Sequence, residues 1–328
     1  MKKTATVIFH SMFIACLCAF SPGCSEENVE KAKETKDVYL FSYFTGNGED
    51  GLHLAISYDG YTWSALNNGA SFLAPRVGQA KLMRDPCILL GPDNVFHLVW
   101  TAGWWEKGVG IAHSKDLVTW SEQEFLPLME HEPDAVNCWA PEIAYDETAK
   151  HYVIYWATTI PGRFAETDDT GDPGPDVSLN HRLYYVTTAD FENYSQAQLL
   201  YDHGFSVIDG TVVQDGSRHV MFLKNETLRP EAEKNIRVAY ADKLTGSYSQ
   251  ASAPITGDYW AEGPTAIRIG SQWFLYFDKY RTHQFGLLIS KDLAGWTDAS
   301  DDLNMPAGIR HGTAFQVDEN VVLNLARK

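Results

Sequence analysis

The chain has 328 residues, a hydrophobic content of 45% and a formal net charge of −17 at pH 7. A chain of this length buries a large core, and all-β folds of this size often form one domain, so we predict a single, monomeric domain. The negative charge argues against nucleic acid or an anionic membrane surface as a partner, because both would repel an acidic body. A neutral ligand such as a sugar is compatible with this charge.

The N-terminus is typical of an export signal over residues 1–23. Lys2 and Lys3 form a basic start, and the mostly apolar run over residues 7–20 is too short to cross a membrane as a helix of a folded protein. Cleavage before Cys24 would resemble the processing of a bacterial lipoprotein, with Cys24 as the lipidated residue. Ser-Pro-Gly at 21–23 departs from the usual aliphatic residue three places before the cysteine, so plain secretion is the alternative.

Two acidic residues after the cysteine, Glu26 and Glu27, are similar to the surface-export signals of lipoproteins in the Bacteroides group. Residues 24–37 are therefore predicted to form a solvated tether, and residues 38–328 the folded domain. We expect the protein to be exported and held by its lipid at the bacterial outer membrane or cell surface. A periplasmic or secreted location is the alternative, and no membrane contact other than the lipid is expected.

Short apolar strands separated by turn residues recur along the rest of the chain. The first is Val38–Tyr43, and four predicted hairpins follow: Cys87–Leu90 with Val95–Trp100, Glu142–Tyr145 with Tyr152–Trp156, Thr211–Val213 with His219–Leu223, and Thr265–Ile269 with Trp273–Phe277. Gly312–Gln316 is placed to pair with the first strand, which would close a ring and remove an exposed sheet edge. Asp318 and the apolar run that ends at Leu325 predict a capped C-terminal helical turn.

A repeat supports the ring. Five times the chain has a short strand, a turn that contains Asp, and an aromatic residue followed by Ser or Thr; the aromatic residues are Trp63, Trp120, Tyr194, Tyr248 and Trp296. Their separations of 57, 74, 54 and 48 residues each fit one four-stranded blade. The sequence therefore predicts an all-β, five-bladed β-propeller, closed by pairing of its C-terminal and N-terminal strands.

The longest separation contains a stretch rich in Pro, Gly and Asp, residues 161–180. It is predicted to be a loop at the rim of the ligand-binding face. Cys87 and Cys138 each lie near the start of a predicted inner strand, which favours two separate buried thiols over a disulfide. No residues have the spacing of zinc ligands.

Three carboxylates stand where apolar strands begin: Asp85 in Arg-Asp-Pro, Asp209 in Ile-Asp-Gly and Glu262 in Glu-Gly-Pro. They could converge only if those strands start side by side around a common axis, as in a propeller. Hydrolysis of a glycosidic bond needs a proton donor at the leaving oxygen and a second carboxylate that activates water or attacks directly. The donor must stay protonated near neutral pH, which a neighbouring negative charge favours.

In the order and spacing of these motifs, the chain resembles glycoside hydrolase family 43, the five-bladed inverting glycosidases, from Val38 to Phe315. The resemblance implies Asp85 as general base, Asp209 as the aspartate that tunes the acid, and Glu262 as general acid. It further implies an oligo- or polysaccharide substrate and no required cofactor. We expect an exo-acting α-L-arabinofuranosidase, or a β-xylosidase or galactosidase, that acts on side chains of plant polysaccharides.

Further residues are expected to bind substrate. Trp139 and Glu142 lie in a Trp-Ala-Pro-Glu segment that matches the family, and Glu142 is expected to face the pocket. Arg84 precedes the base. His311 lies in an Arg-His-Gly motif, and the histidine of this motif is near the propeller axis in the family. We expect no metal there, and a calcium ion or a water beside His311 is the alternative.

Three tryptophans, Trp104, Trp105 and Trp260, offer faces for sugar stacking, with core packing as the alternative. Lys224 ends an apolar strand and is a candidate donor to sugar hydroxyls. A solvated lysine at the rim is the alternative for it.

Two other functions are compatible with parts of this pattern. A retaining β-fructosidase also carries Arg-Asp-Pro in its second blade, but it needs a nucleophilic aspartate in an Asn-Asp-Pro-Asn-Gly segment, which this chain lacks. A surface propeller that binds carbohydrate without turnover would have no need for a separate acid, base and tuning residue.

Overall fold

The computed structural model describes residues 37–325. The predicted signal peptide, Cys24 and all but the last residue of the predicted tether lie outside this range. Strand β9 (His151–Thr159) shows why the chain forms sheets: it is rich in aromatic and β-branched residues, and all its residues but the first are buried. Burial on both faces is expected where a strand lies in a sheet that packs between two others.

Twenty-one strands are present in the described residues. The other strands are β1 (Val38–Tyr43), β2 (His53–Ser57), β3 (Ser64–Ala65), β4 (Arg84–Leu90), β5 (Phe96–Thr101), β6 (Val109–Ser114), β7 (Glu124–Leu126), β8 (Trp139–Asp146), β10 (Asp172–Pro173), β11 (Ser178–Leu179), β12 (His181–Thr188), β13 (Gln198–Tyr201), β14 (Val207–Asp215), β15 (Arg218–Asn225), β16 (Asn235–Ala241), β17 (Glu262–Ile269), β18 (Gln272–Lys279), β19 (Gln284–Ser290), β20 (Thr297–Asp298) and β21 (Gly312–Val317). The helices are one α-helix, α1 (Glu319–Leu325), and three 3₁₀ turns, Asn67–Gly69, Ala165–Thr167 and Ser300–Asp302.

These strands form the predicted five-bladed propeller. From the axis outwards, the blades are β21-β1-β2-β3, β4-β5-β6-β7, β8-β9-β12-β13, β14-β15-β16 and β17-β18-β19-β20. The fourth blade has three strands, not the predicted four. Its outer place is taken by residues 249–255, whose backbone amides at Ser249, Ser252 and Ile255 donate to carbonyls of β16.

The ring closes as predicted, because β21 pairs with β1 along its whole length, from Val38 opposite Val317 to Tyr43 opposite Gly312. Gly312 is needed at this contact, since a Cβ atom there would lie 1.7 Å from the carbonyl oxygen of Ser42. Helix α1 follows as predicted and buries Val322 and Leu325.

Five apolar clusters hold adjacent blades together within the described residues, one at each junction. The cluster between blades 2 and 3 contains Cys87, Cys138 and Trp156. Both thiols are free and buried, as predicted. Within residues 37–325, no helical segment has the length and apolar character that a membrane crossing requires.

The repeated Asp turn joins the third and fourth strands of a blade. In blade 2, the amides of Asp116 and Leu117 donate to Ser114 Oγ, and the amides of the next two residues donate to Asp116 Oδ1. The same pattern surrounds Asp59, Asp190 and Asp292. Because neighbouring strands are antiparallel, these turns lie on the face opposite to the one where the innermost strands begin.

Candidate active site

Four of the five innermost strands begin with the same backbone irregularity. Their pairing with the second strand shifts register between residues 84 and 87, 139 and 142, 208 and 211, and 262 and 265. The residue inside each shift has a positive φ: Asp85 (49°), Ala140 (47°), Asp209 (51°) and Gly263 (57°). A β-bulge of this kind redirects the side chains beside it, so each blade turns its first residues towards the axis.

A cavity of about 560 Å³ lies at this end of the axis and is lined by Asp85, Asp209 and Glu262. The structure thus brings together the three carboxylates that the sequence motifs predicted. Two contacts connect them: His311 Nδ1 is 3.4 Å from Asp85 Oδ1 and 4.0 Å from Asp209 Oδ2. The Gly263 amide, next to Glu262, donates to Asp209 Oδ2 at 2.9 Å.

Asp85 is held in its ionised form. Burial acts to raise the pKa of this carboxyl, but the hydrogen bond and charge of His311, the charge of Arg84 and the hydroxyl of Thr101 lower the pKa to about 2. Thr101 Oγ1 donates to Asp85 Oδ2 at 2.8 Å. An ionised carboxylate at neutral pH can accept a proton from water, which is what a general base must do.

His311 is the cationic partner of both aspartates. Burial acts to lower its pKa, but the charges of Asp209 and Asp85 raise the pKa to about 9. A protonated imidazole has no lone pair for a metal. Within residues 37–325, no three His, Cys, Asp or Glu side chains are grouped to hold a metal ion. A calcium ion beside His311 stays a prediction from the sequence.

Asp209 lines the cavity and is largely buried. Burial raises its pKa, and the charges of Glu262 and Asp85 act in the same direction against His311 and Lys224. The charge of Asp209 is therefore coupled to that of the carboxylate beside it, as a tuning role requires.

Glu262 is bound by two cations. Lys224 Nζ donates to Oε2 at 3.0 Å, and Arg310 Nη2 donates to Oε1 at 3.2 Å. Arg310 is held in turn by Asp278 at 2.7 Å, and burial together with the charge of Glu262 raises the pKa of Asp278 to about 6. The position of Glu262 is thus set by two side chains that are themselves fixed.

The ion pairs continue along the cavity wall. Lys224 also contacts Glu226 at 2.7 Å, Glu226 contacts Lys234 at 2.8 Å, and Lys234 binds Asp172. Burial raises the pKa of Glu226 to about 7. Asp172 belongs to a small hairpin, β10-β11, within the predicted loop 161–180, so a chain of alternating charges connects this hairpin to Glu262.

Three tryptophans lie at the cavity mouth. The ring centroids of Trp104 and Trp105 are 5.5 and 5.8 Å from that of Trp139, and Trp139 Nε1 donates to the carbonyl of Trp104. Trp104 and Trp105 remain 37% and 46% exposed, so their faces are open to a ligand. Trp260 contacts Arg281 and the tilted ring of Tyr280 instead and does not line this cavity.

A family model described as a probable glycosyl hydrolase domain, of the type related to glycoside hydrolase family 43, matches residues 34–321. The chain belongs to this glycosyl hydrolase family.

Known relatives agree with this assignment. An α-L-arabinofuranosidase from Bifidobacterium longum subsp. longum is 26% identical over 184 residues, which are 51% of this chain and 17% of that protein. A thermostable family-43 glycoside hydrolase has a similar fold, with a TM-score of 0.52 and 14% identity over 71% of this chain and 82% of that chain. The structure of α-L-arabinofuranosidase from Lactobacillus brevis has a TM-score of 0.53 and 15% identity, over 66% of this chain and 72% of that chain. At these identities the two structures support the fold alone.

Within this family-43-related glycosidase, the structure places two predicted substrate-binding residues away from the cavity surface. Glu142 is buried on the axis, where Thr211 and Thr313 donate to its two oxygens at 3.1 and 3.2 Å. Burial raises the pKa of Glu142 to about 7. It supports the floor of the site and does not face the pocket, because the bulge at Ala140 directs the fourth residue of the strand inwards.

Lys224 is neither a solvated rim lysine nor a side chain on the cavity surface. It is 1% exposed, and its ammonium group is taken up by Glu226 and Glu262. The other predicted residues, Arg84, Trp105, Trp139 and His311, do line the cavity of this glycosidase.

Sequence reasoning missed five charged residues of this glycosidase site: Asp172, Glu226, Lys234, Asp278 and Arg310. Glu226 and Asp278 each end or follow an apolar strand, and an acidic residue in that position is the signal that could have pointed to them. Asp172 and Lys234 lie in segments without periodicity, where no local signal indicates what they contact.

Proposed function

We propose that this protein hydrolyses terminal α-L-arabinofuranosyl or closely related pentosyl units from side chains of plant polysaccharides, with inversion at the anomeric carbon. Asp85 would act as general base, Glu262 as general acid and Asp209 as the residue that tunes the acid. The observation that carries the proposal is the convergence of these three carboxylates on one cavity, with Asp85 held ionised by His311.

In the proposed reaction, the oxygen of a water molecule bonds to the anomeric carbon, and Asp85 accepts a proton from that water. The bond from that carbon to the leaving oxygen breaks, and the leaving oxygen receives the proton of Glu262. Asp209 would act on the acid through its like charge, whereas Lys224 and Arg310 would act on it with the opposite charge. These opposite influences would set the pH range of activity.

One feature favours inversion over a retaining β-fructosidase mechanism. In the first blade, the cation His311 directly precedes the innermost strand and contacts Asp85 and Asp209, and that strand, β21, contains no carboxylate that could act as a nucleophile. The alternative function is carbohydrate binding without turnover. A protein of that kind would not need Asp85 to be held in its ionised form.

An exo mode is supported by the walls of the cavity. Asp172, Pro173 and Leu179 of the β10-β11 hairpin line it, as do Trp104 and Trp105. A cavity enclosed in this way accepts the end of a sugar chain, whereas an open groove would bind its middle.

Nitrophenyl α-L-arabinofuranoside, β-D-xyloside and β-D-galactoside, followed by branched arabinan and arabinoxylan, test this proposal. We expect release of single pentoses, with an inverted anomeric proton signal by NMR in the first minutes. Retained configuration would exclude the assignment of Asp85 as base, and release of oligosaccharides would exclude the exo mode. The Asp85→Asn variant serves as the matched control for contaminating activity.

We propose in addition that the protein is exported and carries lipid on Cys24. Radiolabelled palmitate should be incorporated into the full chain and not into the Cys24→Ser variant. Equal labelling of both chains, or of neither, would argue for plain secretion or another location.

A further inference from the structure

The cationic side chains of the cavity differ in what they bind. Three of them line it: Arg84, Arg310 and His311. Arg310 is paired with Glu262 and Asp278, and His311 lies between Asp85 and Asp209. Arg84 takes part in no ion pair among residues 37–325. It is therefore the cation of this cavity whose charge no nearby carboxylate neutralises by direct contact.

Arg84 is nevertheless held firmly. Its guanidinium lies 4.6 Å from the ring centroid of Phe44 and 4.2 Å from that of Trp104, so it contacts two aromatic rings. Nη1 donates to Asn47 Oδ1 at 3.0 Å, and Trp104 Nε1 donates to the same oxygen at 3.1 Å. A guanidinium fixed in this way loses little conformational entropy when its remaining N–H groups bind a ligand.

We propose that Arg84 binds the carboxylate of an acidic sugar unit, a uronic acid residue, next to the glycosidic bond that is cleaved. The planar fork of an arginine matches a carboxylate through two parallel hydrogen bonds. Contact with Trp104, which is 37% exposed at the mouth, places the guanidinium on the side where the rest of the polysaccharide would leave the cavity. The proposal rests on the proposed glycosidase function and narrows its substrate class.

The charge of the whole protein makes a local cation necessary for such a ligand. The formal net charge of −17 repels an acidic polysaccharide at long range, although salt screens this repulsion beyond about 8 Å at physiological ionic strength. A neutral substrate would make no use of the Arg84 charge beyond its effect on Asp85. The contacts with Phe44 and Trp104 hold this cation at one position, where it could receive one charged group.

The test compares three disaccharides that carry the same pentosyl unit on galacturonic acid, on its methyl ester and on galactose. For the wild-type protein we expect kcat/KM to be about tenfold higher for the acid than for the ester. The Arg84→Gln variant should lower kcat/KM for the acid about ten- to a hundredfold more than for the ester. Arg84→Lys should restore only part of the preference, because an ammonium lacks the planar fork.

Arg281→Gln is the matched control, because Arg281 is also stacked on a tryptophan, at 4.6 Å from Trp260, but lies outside the cavity. It should keep the preference for the acid. An acid-to-ester ratio that is unchanged in Arg84→Gln, or a wild-type preference for the ester, would overturn the proposal.

Binding measurements separate this proposal from the proposed function. Calorimetry with the methyl glycosides of galacturonic acid and galactose should show tighter binding of the acid, lost in Arg84→Gln. If that holds while no pentoside is hydrolysed, the glycosidase assignment fails and the Arg84 site stands. If pentosides are hydrolysed while Arg84→Gln binds both glycosides like the wild type, the Arg84 site fails and the glycosidase assignment stands.

Discussion

Each blade has two ends, and they use the repeat differently. One end has the repeated Asp turns between the third and fourth strands, called the outer turns below. In four blades, around Asp59, Asp116, Asp190 and Asp292, the aspartate of this turn accepts the same backbone hydrogen bonds. At the entrances of the innermost strands, the same bulge and positive φ recur in four blades, but the residues inside it are Asp, Ala, Asp and Gly. The outer turns repeat sequence and structure together, whereas the entrances repeat only the backbone.

Comparing the two ends shows which part of a blade stabilises the fold and which part carries the proposed catalytic residues. A non-glycine residue in the left-handed region costs about 1–2 kcal/mol, and Asp85, Ala140 and Asp209 all carry this cost at the entrances. The Asp turns carry the same cost at Leu117, Phe191 and Leu293. The two ends therefore differ in that the entrances aim carboxylates at one cavity, and not in backbone strain. Four predictions test this division, from the largest expected effect to the smallest.

Replacing the proposed proton donor should give the largest loss. Glu262→Gln keeps the shape of the side chain but carries no transferable proton, so we expect turnover of natural oligosaccharides to fall by about 10²- to 10⁴-fold. Nitrophenyl substrates, whose leaving groups need less protonation, should lose much less. Turnover of an oligosaccharide near the wild-type rate would show that Glu262 is not the acid.

The ion pairs of His311 should make stability depend on pH on the alkaline side. Its pKa is raised to about 9, so its contribution is complete below pH 6.5 and is lost as the pH rises through 9. This amounts to roughly 3 kcal/mol at most. Urea unfolding at pH 6 and pH 9.5 should show this loss in the wild type and a smaller one in His311→Gln, and equal losses in both would contradict it.

The outer turns offer a matched pair of variants. Asp116→Ala removes the acceptor of two backbone amides and should lower the free energy of unfolding by about 1–2 kcal/mol, with kcat/KM nearly unchanged. In the fourth blade, Tyr240 stands two positions before Asp242, where the other blades have Ser or Thr, and Asp242 accepts no hydrogen bond within residues 37–325. Asp242→Ala should therefore cost less than about 0.5 kcal/mol, and an equal cost at both sites would mean that the hydrogen bonds do not stabilise the turn.

The two neighbours of Glu262 should move the alkaline limb of the rate profile in opposite directions. Asp209→Asn removes a negative charge and should move the limb towards acid pH, by about one unit. Lys224→Met removes a positive charge 3.0 Å from Glu262 and should move it towards alkaline pH by a similar amount. Profiles of kcat/KM between pH 4 and 10 measure both shifts, and shifts in the same direction would rule out an electrostatic origin.

Much of this protein could be predicted from its sequence. Strand alternation, the Asp turns and the apolar run at Gly312–Gln316 are local patterns, so they predicted five blades, the ring closure and the free thiols Cys87 and Cys138 before any coordinates. The three carboxylates were found for the same reason: each lies in a short motif at the start of a strand.

Only the tertiary structure decided what those carboxylates touch. His311 is 226 residues from Asp85 along the chain, and Asp172 is 62 residues from Lys234, so no local pattern connects them. The bulge at Ala140 directs Glu142 inwards to the axis. Lys224 was predicted to bind sugar hydroxyls, but it is buried and pairs with Glu262. Charge pairing in a buried site depends on which strand ends meet at the axis, and that is set by the closure of the whole ring.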